Sequence, residues 1–342
     1  MNKVTTVAVD LGKKTFQVGF ADKYGREAGK QERLTSREAF SEFVANADPR
    51  WTVLMEVGWG AQAWARAFKA RGMRVRLLPA QLVMAHRTGG KNDRNDVLAI
   101  LRAGQDEQIH EVPVKSAEEA AIQAEHRVRR GWVRRRTAVA NQARGLLADQ
   151  GMVFDKGDAA FVHGIERTIE DASLPIPNGL RQLLQQLLIE WHQLGERIHG
   201  ADRRLERLVR EHPIARMLDE LPGVGPIGAT ALACKMVDLE RFASARHFAA
   251  YFGIVPEQHS SSDRVRLGKM SKRGDSYIRA TLVSGARAVF RHLPARQDNS
   301  KETQRLRRWY AKHGCSGASI RLANRNLRIA FIQVRNSMRD SA

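Results

Sequence analysis

The first hundred residues alternate short β-branched runs with longer amphipathic ones, and that order restricts the fold more than any other feature. Residues 4–10, VTTVAVD, form a near-continuous apolar run, the pattern of a strand buried on both faces. LGKK turns the chain, and residues 15–21, TFQVGFA, read as a second strand. DKYG is a hairpin signal, with a weaker third strand in residues 26–34. A helix opens at TSREAF, where Ser36 and Glu38 form a capping pattern. WTVLMEVG is a strand ending at residues 56–58, GAQAWARAFKARG a helix stopped by Gly72, and MRVRLLP a fifth strand. A further helix runs from Asp93 to about Asp106. The order βββαβαβα calls for a mixed sheet flanked by helices.

Charge separates the chain into blocks. The net charge is +20 over 342 residues. Residues 1–110 contribute +6, residues 111–257 contribute 0, and residues 258–342 contribute +14, from 19 basic and 5 acidic side chains. So basic a block in an otherwise mixed chain points to a polyanion, nucleic acid before membrane, since no basic helix with an aromatic face stands out. No apolar run is long enough to span a bilayer, and MNKVTTVAVD is no signal peptide. Cys234 and Cys315 have no metal-ligand spacing and read as reduced thiols of a cytoplasmic protein.

Residues 116–150 read as a helix with a very basic centre, RVRRGWVRRR. Arg127, Arg129, Arg130, Arg134, Arg135 and Arg136 are candidates for nucleic-acid backbone contacts, or else a solvated helix face. Beyond the breaker SLPIPNG, the residues Leu180, Leu184, Leu187, Trp191, Leu194, Ile198, Ala201, Leu205 and Leu208 step alternately by four and three. This is an a/d seam. It fits a hairpin within one chain or a coiled coil with another subunit, and the reading leans to oligomerisation. Three regions result: an α/β domain over 1–112, a helical coiled-coil region over 113–212, and a mainly α region over 213–342.

Three motifs carry chemistry. Asp10 closes the first strand and Glu56 the fourth; Asp93 and Asp96 lie three residues apart at the start of a helix. Residues at i and i+3 share a helix face, so the two carboxylates repel unless a cation offsets them. The plainer reading is helix capping. Four carboxylates without His or Cys make a hard-oxygen site suited to Mg²⁺ or Mn²⁺, which could stabilise both oxygens of an in-line phosphoryl displacement. The second motif is ELPGVGPIGATALACKM, where Gly223 and Gly225 form a tight turn resembling a helix-hairpin-helix phosphate contact, or a plain turn between packed helices. The third is PEQHSSSDRVRLGKMSKRGD, with Ser260, Ser261 and Ser262 followed by Arg264, Arg266, Lys269, Lys272 and Arg273. It reads as a polar loop, or as a serine nucleophile beside cations.

Together these stretches resemble the DEDD-type insertion-sequence transposases, kin of the Piv DNA invertase, understood as bridge-RNA-guided serine recombinases. The resemblance rests on VAVDLGKKTFQVGF, VLMEVGWG, KNDRNDVLAI, LPGVGPIGATALACKMVDLERFASARHFAAYFGIVPEQHSSS and RLGKMSKRGDSYIRATLV. It implies a ribonuclease-H-like (RuvC-like) first domain with Asp10, Glu56, Asp93 and Asp96 as the DEDD residues and metal ligands. It implies a coiled-coil region, and then a transposase domain bearing the serine. Ser261 follows GIVP and is the best match for the nucleophile, which would form a phosphoserine link to DNA. The implied partners are donor and target DNA, a structured guide RNA, and further copies of the chain as a dimer or tetramer. A metal-dependent junction nuclease without a covalent intermediate is the alternative.

Overall fold

The structure, a computed structural model, describes residues 3–90, 92–259 and 266–340. The chain divides into two compact units, Met1–Glu118 and Glu119–Ala342. The first expected boundary, after residue 112, thus lies six residues early, and the regions expected as 113–212 and 213–342 share one unit.

The first unit is a five-stranded sheet in the order β3-β2-β1-β4-β5. Its strands are β1 (Thr6–Leu11), β2 (Phe16–Ala21), β3 (Glu32–Leu34), β4 (Thr52–Glu56) and β5 (Arg74–Leu78). β1, β2 and β3 are antiparallel neighbours, whereas β1, β4 and β5 run parallel. Helices α1 (Arg37–Asn46) and α2 (Ala61–Ala70) cover one face, where Phe16 stacks on Phe40 at 4.2 Å. Ser36 caps α1 by accepting from the Ala39 N–H, as its position predicts. Helices α3 (Ala80–Ala85) and α4 (Asp93–Gln105) cover the other face. The short α3 has no counterpart in the sequence reading. Strand parity decides which side chain meets which layer: Val7 and Val9 face α1 and α2, while Ala8, Gly19 and Leu54 face α4.

The second unit is mostly helical. Its helices are α5 (Ala117–Ala148), α6 (Asp158–Glu170), α7 (Asn178–Glu211), α8 (Pro213–Asp219), α9 (Pro226–Ala233), α10 (Ala245–Tyr251), α11 (Ser276–His292) and α12 (Lys301–Asp340). α12 is kinked at Gly314, whose φ is 63°. A two-stranded antiparallel hairpin, β6 (Pro256–Gln258) and β7 (Leu267–Met270), lies between α10 and α11.

The heptad seam of α7 closes inside this one chain. Leu184, Trp191 and Leu194 are buried with Val139, Ala140, Ala143 and Leu147 of α5 and Phe161 and Ile165 of α6. Antiparallel cross-ties fix the register. Arg129 bonds Asp202, Arg204 meets Glu125 at 2.6 Å, and the Arg136 guanidinium stacks 3.7 Å from the Trp191 ring centroid. The seam is thus filled within the chain and by itself supplies no argument for a second subunit. No helix among the described residues is long and apolar enough to cross a membrane.

Deeper in the second unit, His126 joins three helices. Its Nε2 lies 3.0 Å from the Thr230 hydroxyl and its Nδ1 3.0 Å from the Tyr277 hydroxyl. Thr230 already donates to the Pro226 carbonyl at 2.7 Å. Thr230 therefore accepts from Nε2–H, and Nδ1 accepts from Tyr277, which assigns the neutral imidazole. Burial, followed by the Arg129 charge, pulls the His126 pKa down to about 4.

Candidate active site

Asp10 and Glu56 are set by strand register. Val9 pairs with Met55 across the parallel β1–β4 ladder, and Asp10 and Glu56 each lie one residue further on. Adjacent strands are about 4.8 Å apart, so the two Cα atoms are near neighbours. Both share the parity of Ala8 and Leu54, and so both face the α4 side. On the same row, Asp10 pairs with Gln17, Gln17 with Arg33, and Glu56 with Leu78.

α4 brings the second pair of acids to this face. The helix crosses the strands at close range because two glycines permit it. A Cβ on Gly19 would fall 2.3 Å from Val97, and one on Gly104 would fall 2.2 Å from Leu54. Gly19, Ala8 and Leu54 form one row across β2, β1 and β4. From Val97 to Gly104 the helix rises about 10.5 Å, close to two interstrand spacings. α4 thus runs across the sheet, with its N-terminus over the β2–β3 side. Asp93 and Asp96 extend the stripe that buries Val97 and Ile100.

Asn92 caps α4, its side-chain oxygen accepting from the Asn95 N–H at 2.8 Å. The two aspartates are therefore not the cap. Cations hold them instead: Arg33 lies 3.9 Å from Asp93, and Arg87 3.4 Å from Asp96. Arg33 belongs to β3, three strands from β4. Among the described residues, no three His, Cys, Asp or Glu side chains stand in metal-holding geometry. The expectation that the four carboxylates meet is corrected in this respect. Asp10 and Glu56 are brought together, while Asp93 and Asp96 share their face but are engaged by arginines.

The donor set still suits a hard cation. Mg²⁺ is ordinarily held by one or two carboxylates and by substrate phosphates, and the Asp10–Glu56 row supplies that number. A divalent cation at this row would compete with Arg33 and Arg87 for the oxygens of Asp93 and Asp96.

One residue beside this row carries no role in the sequence reading. Trp59, three residues after Glu56, is 75% exposed, and the Lys13 ammonium sits 5.1 Å from its ring centroid. Lys13 follows Asp10 by three residues. The two strand-end loops thus present a cation and an aromatic surface beside the acids, a pairing suited to a phosphate and a base. The signal was a tryptophan in a Gly-rich turn, GWG, where nothing buries it.

The basic candidates divide. Arg129, Arg130 and Arg136 are taken up internally, by Asp202, by the Tyr277 ring, and by Asp158 with the Trp191 ring. These three guanidinium groups meet partners on α6, α7 and α11 within the unit. Arg127, Arg134 and Arg135 are exposed. Lys269, Lys272 and Arg273 are exposed on or just after β7, and Arg266 immediately precedes it. Ser260, Ser261, Ser262 and Arg264 lie outside the described residues. Gly223 has φ 78°, and a Cβ there would fall 2.7 Å from the Gly285 carbonyl oxygen of α11. Its close approach is to another helix, whereas a Cβ on Gly225 would meet nothing within 4 Å.

Comparison with known proteins gives the family. A DEDD transposase profile of the IS110 type matches residues 7–151, and one described as "Transposase IS116/IS110/IS902 family" matches residues 215–301. The chain is 35% identical over 331 residues to a "Probable family 20 transposase" of Pseudomonas aeruginosa, with 96% of each chain covered. The chain belongs to the IS110 family of transposases. It is also 32% identical to the transposase for insertion sequence element IS1328 of Yersinia enterocolitica, with 97% of each covered. To the transposase for insertion sequence element IS1111A of Coxiella burnetii it is 29% identical, covering 97% of this chain and 90% of the other. A transposase is a DNA-cutting and DNA-joining enzyme, and the DEDD domain implies dependence on a divalent metal.

Proposed function

We propose that the first unit is ribonuclease-H-like and that Asp10, Glu56, Asp93 and Asp96 form the acidic site that breaks phosphodiesters at insertion-sequence ends. The observation that carries this reading is the shared face: strand parity and the course of α4 put all four carboxylates on one side of the sheet. Mg²⁺, or Mn²⁺, bound there would neutralise charge on the scissile phosphate. Asp10 and Glu56 orient from rigid strands, as a reacting group requires. Asp93 and Asp96 join when Arg33 and Arg87 release them. Lys13 and Trp59 steady the DNA strand beside the row. Exposed Arg127, Arg134, Arg135, Lys269, Lys272 and Arg273 add sequence-independent phosphate contacts, with Arg266, Arg264 and the Gly223–Gly225 turn as further candidates.

A second chemistry competes for the same bond. A serine nucleophile, with Ser261 the first candidate and Ser260 and Ser262 beside it, would leave the protein covalently attached to DNA. The family description carries the acidic set and not the serine, so the acidic site takes precedence. The GIVP segment that leads into β6 and the cations on and after β7 keep the serine in play. A structured guide RNA and a dimer or tetramer remain part of the proposal. The RNA is supported by the +14 block over residues 258–342.

The test uses purified protein, Mg²⁺, RNA transcribed from the element's flank and a plasmid carrying the element junction. The products are denatured and probed for DNA-linked protein, with Ser261→Ala beside wild type. Cut DNA without adduct in both places the chemistry on the acids. An adduct lost in Ser261→Ala assigns the nucleophile to Ser261. Absence of any cutting with and without RNA would sink both.

A further inference from the structure

A cleft of about 510 Å³ lies in the second unit. Three walls form it. The kink at Gly314 sets the first part of α12, with Trp309 and His313, apart from the second part, with Ile320, Arg321 and Arg328. Ile254 and Pro256, at the approach to and start of β6, close the third side. Asn324 pins this wall by donating to the Ile254 carbonyl at 2.7 Å.

The floor is apolar and aromatic while the rim is cationic. Arg325 is partly neutralised by Glu302 at 2.7 Å. Arg321 and Arg328 are exposed and make no ion pair among the described residues. Desolvation, reinforced by Arg321 and Lys312, holds the His313 pKa below its ordinary value. An apolar, Trp-lined slot edged by these two guanidinium groups matches a nucleotide, whose base is planar and apolar-faced and whose phosphate is anionic. Bases inside a duplex have both faces stacked on neighbours and cannot enter such a slot, so the occupant must be unpaired.

We propose that this cleft binds one unpaired nucleotide of a single strand, its base against Trp309 and its phosphates against Arg321 and Arg328. The inference rests on the reading that the chain acts on DNA, and it adds a single-strand site that duplex contacts alone do not require. Strand exchange exposes unpaired DNA, and a guide RNA has unpaired loops; both offer this same chemistry.

The experiment measures fluorescence anisotropy of full-length protein with labelled ten-nucleotide dT and rU strands and with a blunt duplex, at several salt concentrations. Trp309→Ala is expected to weaken single-strand binding by about tenfold, Trp309→Phe by less, and neither to change duplex binding. The double variant Arg321→Gln/Arg328→Gln should lower the single-strand log–log salt slope by about 1.4, at roughly 0.7 per phosphate. Loss confined to dT supports displaced DNA as the occupant, and loss confined to rU supports RNA. Single-strand binding unchanged in Trp309→Ala, or lost equally for duplex while Trp309→Phe behaves as wild type, overturns the cleft. Wild type that binds neither strand nor duplex overturns the nucleic-acid reading itself.

Discussion

Lowering the pH from 7 to 5 is expected to destabilise the second unit through His126. In the fold this imidazole is neutral, clamped between Thr230 and Tyr277, with a pKa of about 4 against an ordinary 6.5. Between those values the unfolded chain binds a proton that the folded chain refuses, so stability falls as pH falls. The contribution is fully present above pH 6.5, is lost progressively on acidification, and levels off below pH 4. The linkage relation gives a loss of about 2 kcal/mol at pH 5 and about 3 kcal/mol once the whole window is crossed. His126→Gln can still donate to Thr230 and accept from Tyr277 but does not titrate. Urea unfolding of the full chain at pH 7 and pH 5 supplies the stabilities, and hydrogen exchange of α9 amides localises the change. Wild type should lose about 2 kcal/mol more than the variant between the two pH values. Equal losses would refute the assignment of a buried neutral imidazole.

Other consequences follow from single contacts. A Cβ on Gly285 would lie 1.9 Å from the Gly223 carbonyl oxygen, so Gly285→Ala should destabilise by about 1–3 kcal/mol in urea titration. Trp59 is 75% exposed, so Trp59→Ala should leave the melting temperature unchanged while weakening DNA binding by roughly tenfold. Arg87→Ala frees Asp96 and should lower the Mg²⁺ concentration for half-maximal cutting by no more than about fivefold, the reach of a partly exposed ion pair. Arg134→Gln/Arg135→Gln should reduce the log–log salt slope of duplex binding by about 1.8.

The sheet was readable because its signals are local. Residues 4–10 and 52–56 are mostly β-branched and apolar runs, and both become inner strands, paired in parallel as β1 and β4. The short α3 escaped because AQLVMA, after Pro79, is too brief to show a period. The arginines on Asp93 and Asp96 escaped for a different reason. Arg33 is sixty residues from Asp93 in sequence and meets it only because α4 crosses the strands. A heptad shows that a seam is buried and not whose helix buries it, so α7 alone could not identify α5 as its partner. Similarly, a run of arginines on α5 gives charge without direction. The period of the helix sends Arg129 and Arg136 inward, and leaves Arg127, Arg134 and Arg135 in solvent.

The most direct test of the acidic row is a cleavage assay on the junction plasmid with Mg²⁺ or EDTA, comparing wild type with Asp10→Asn, Glu56→Gln and Asp93→Asn while DNA affinity is measured in parallel. All three variants should bind DNA at least as well as wild type, since each removes a negative charge, and none should cut; EDTA should abolish wild-type cutting. A variant that cuts at the wild-type rate in Mg²⁺ would return its carboxylate to a structural role and contradict the account.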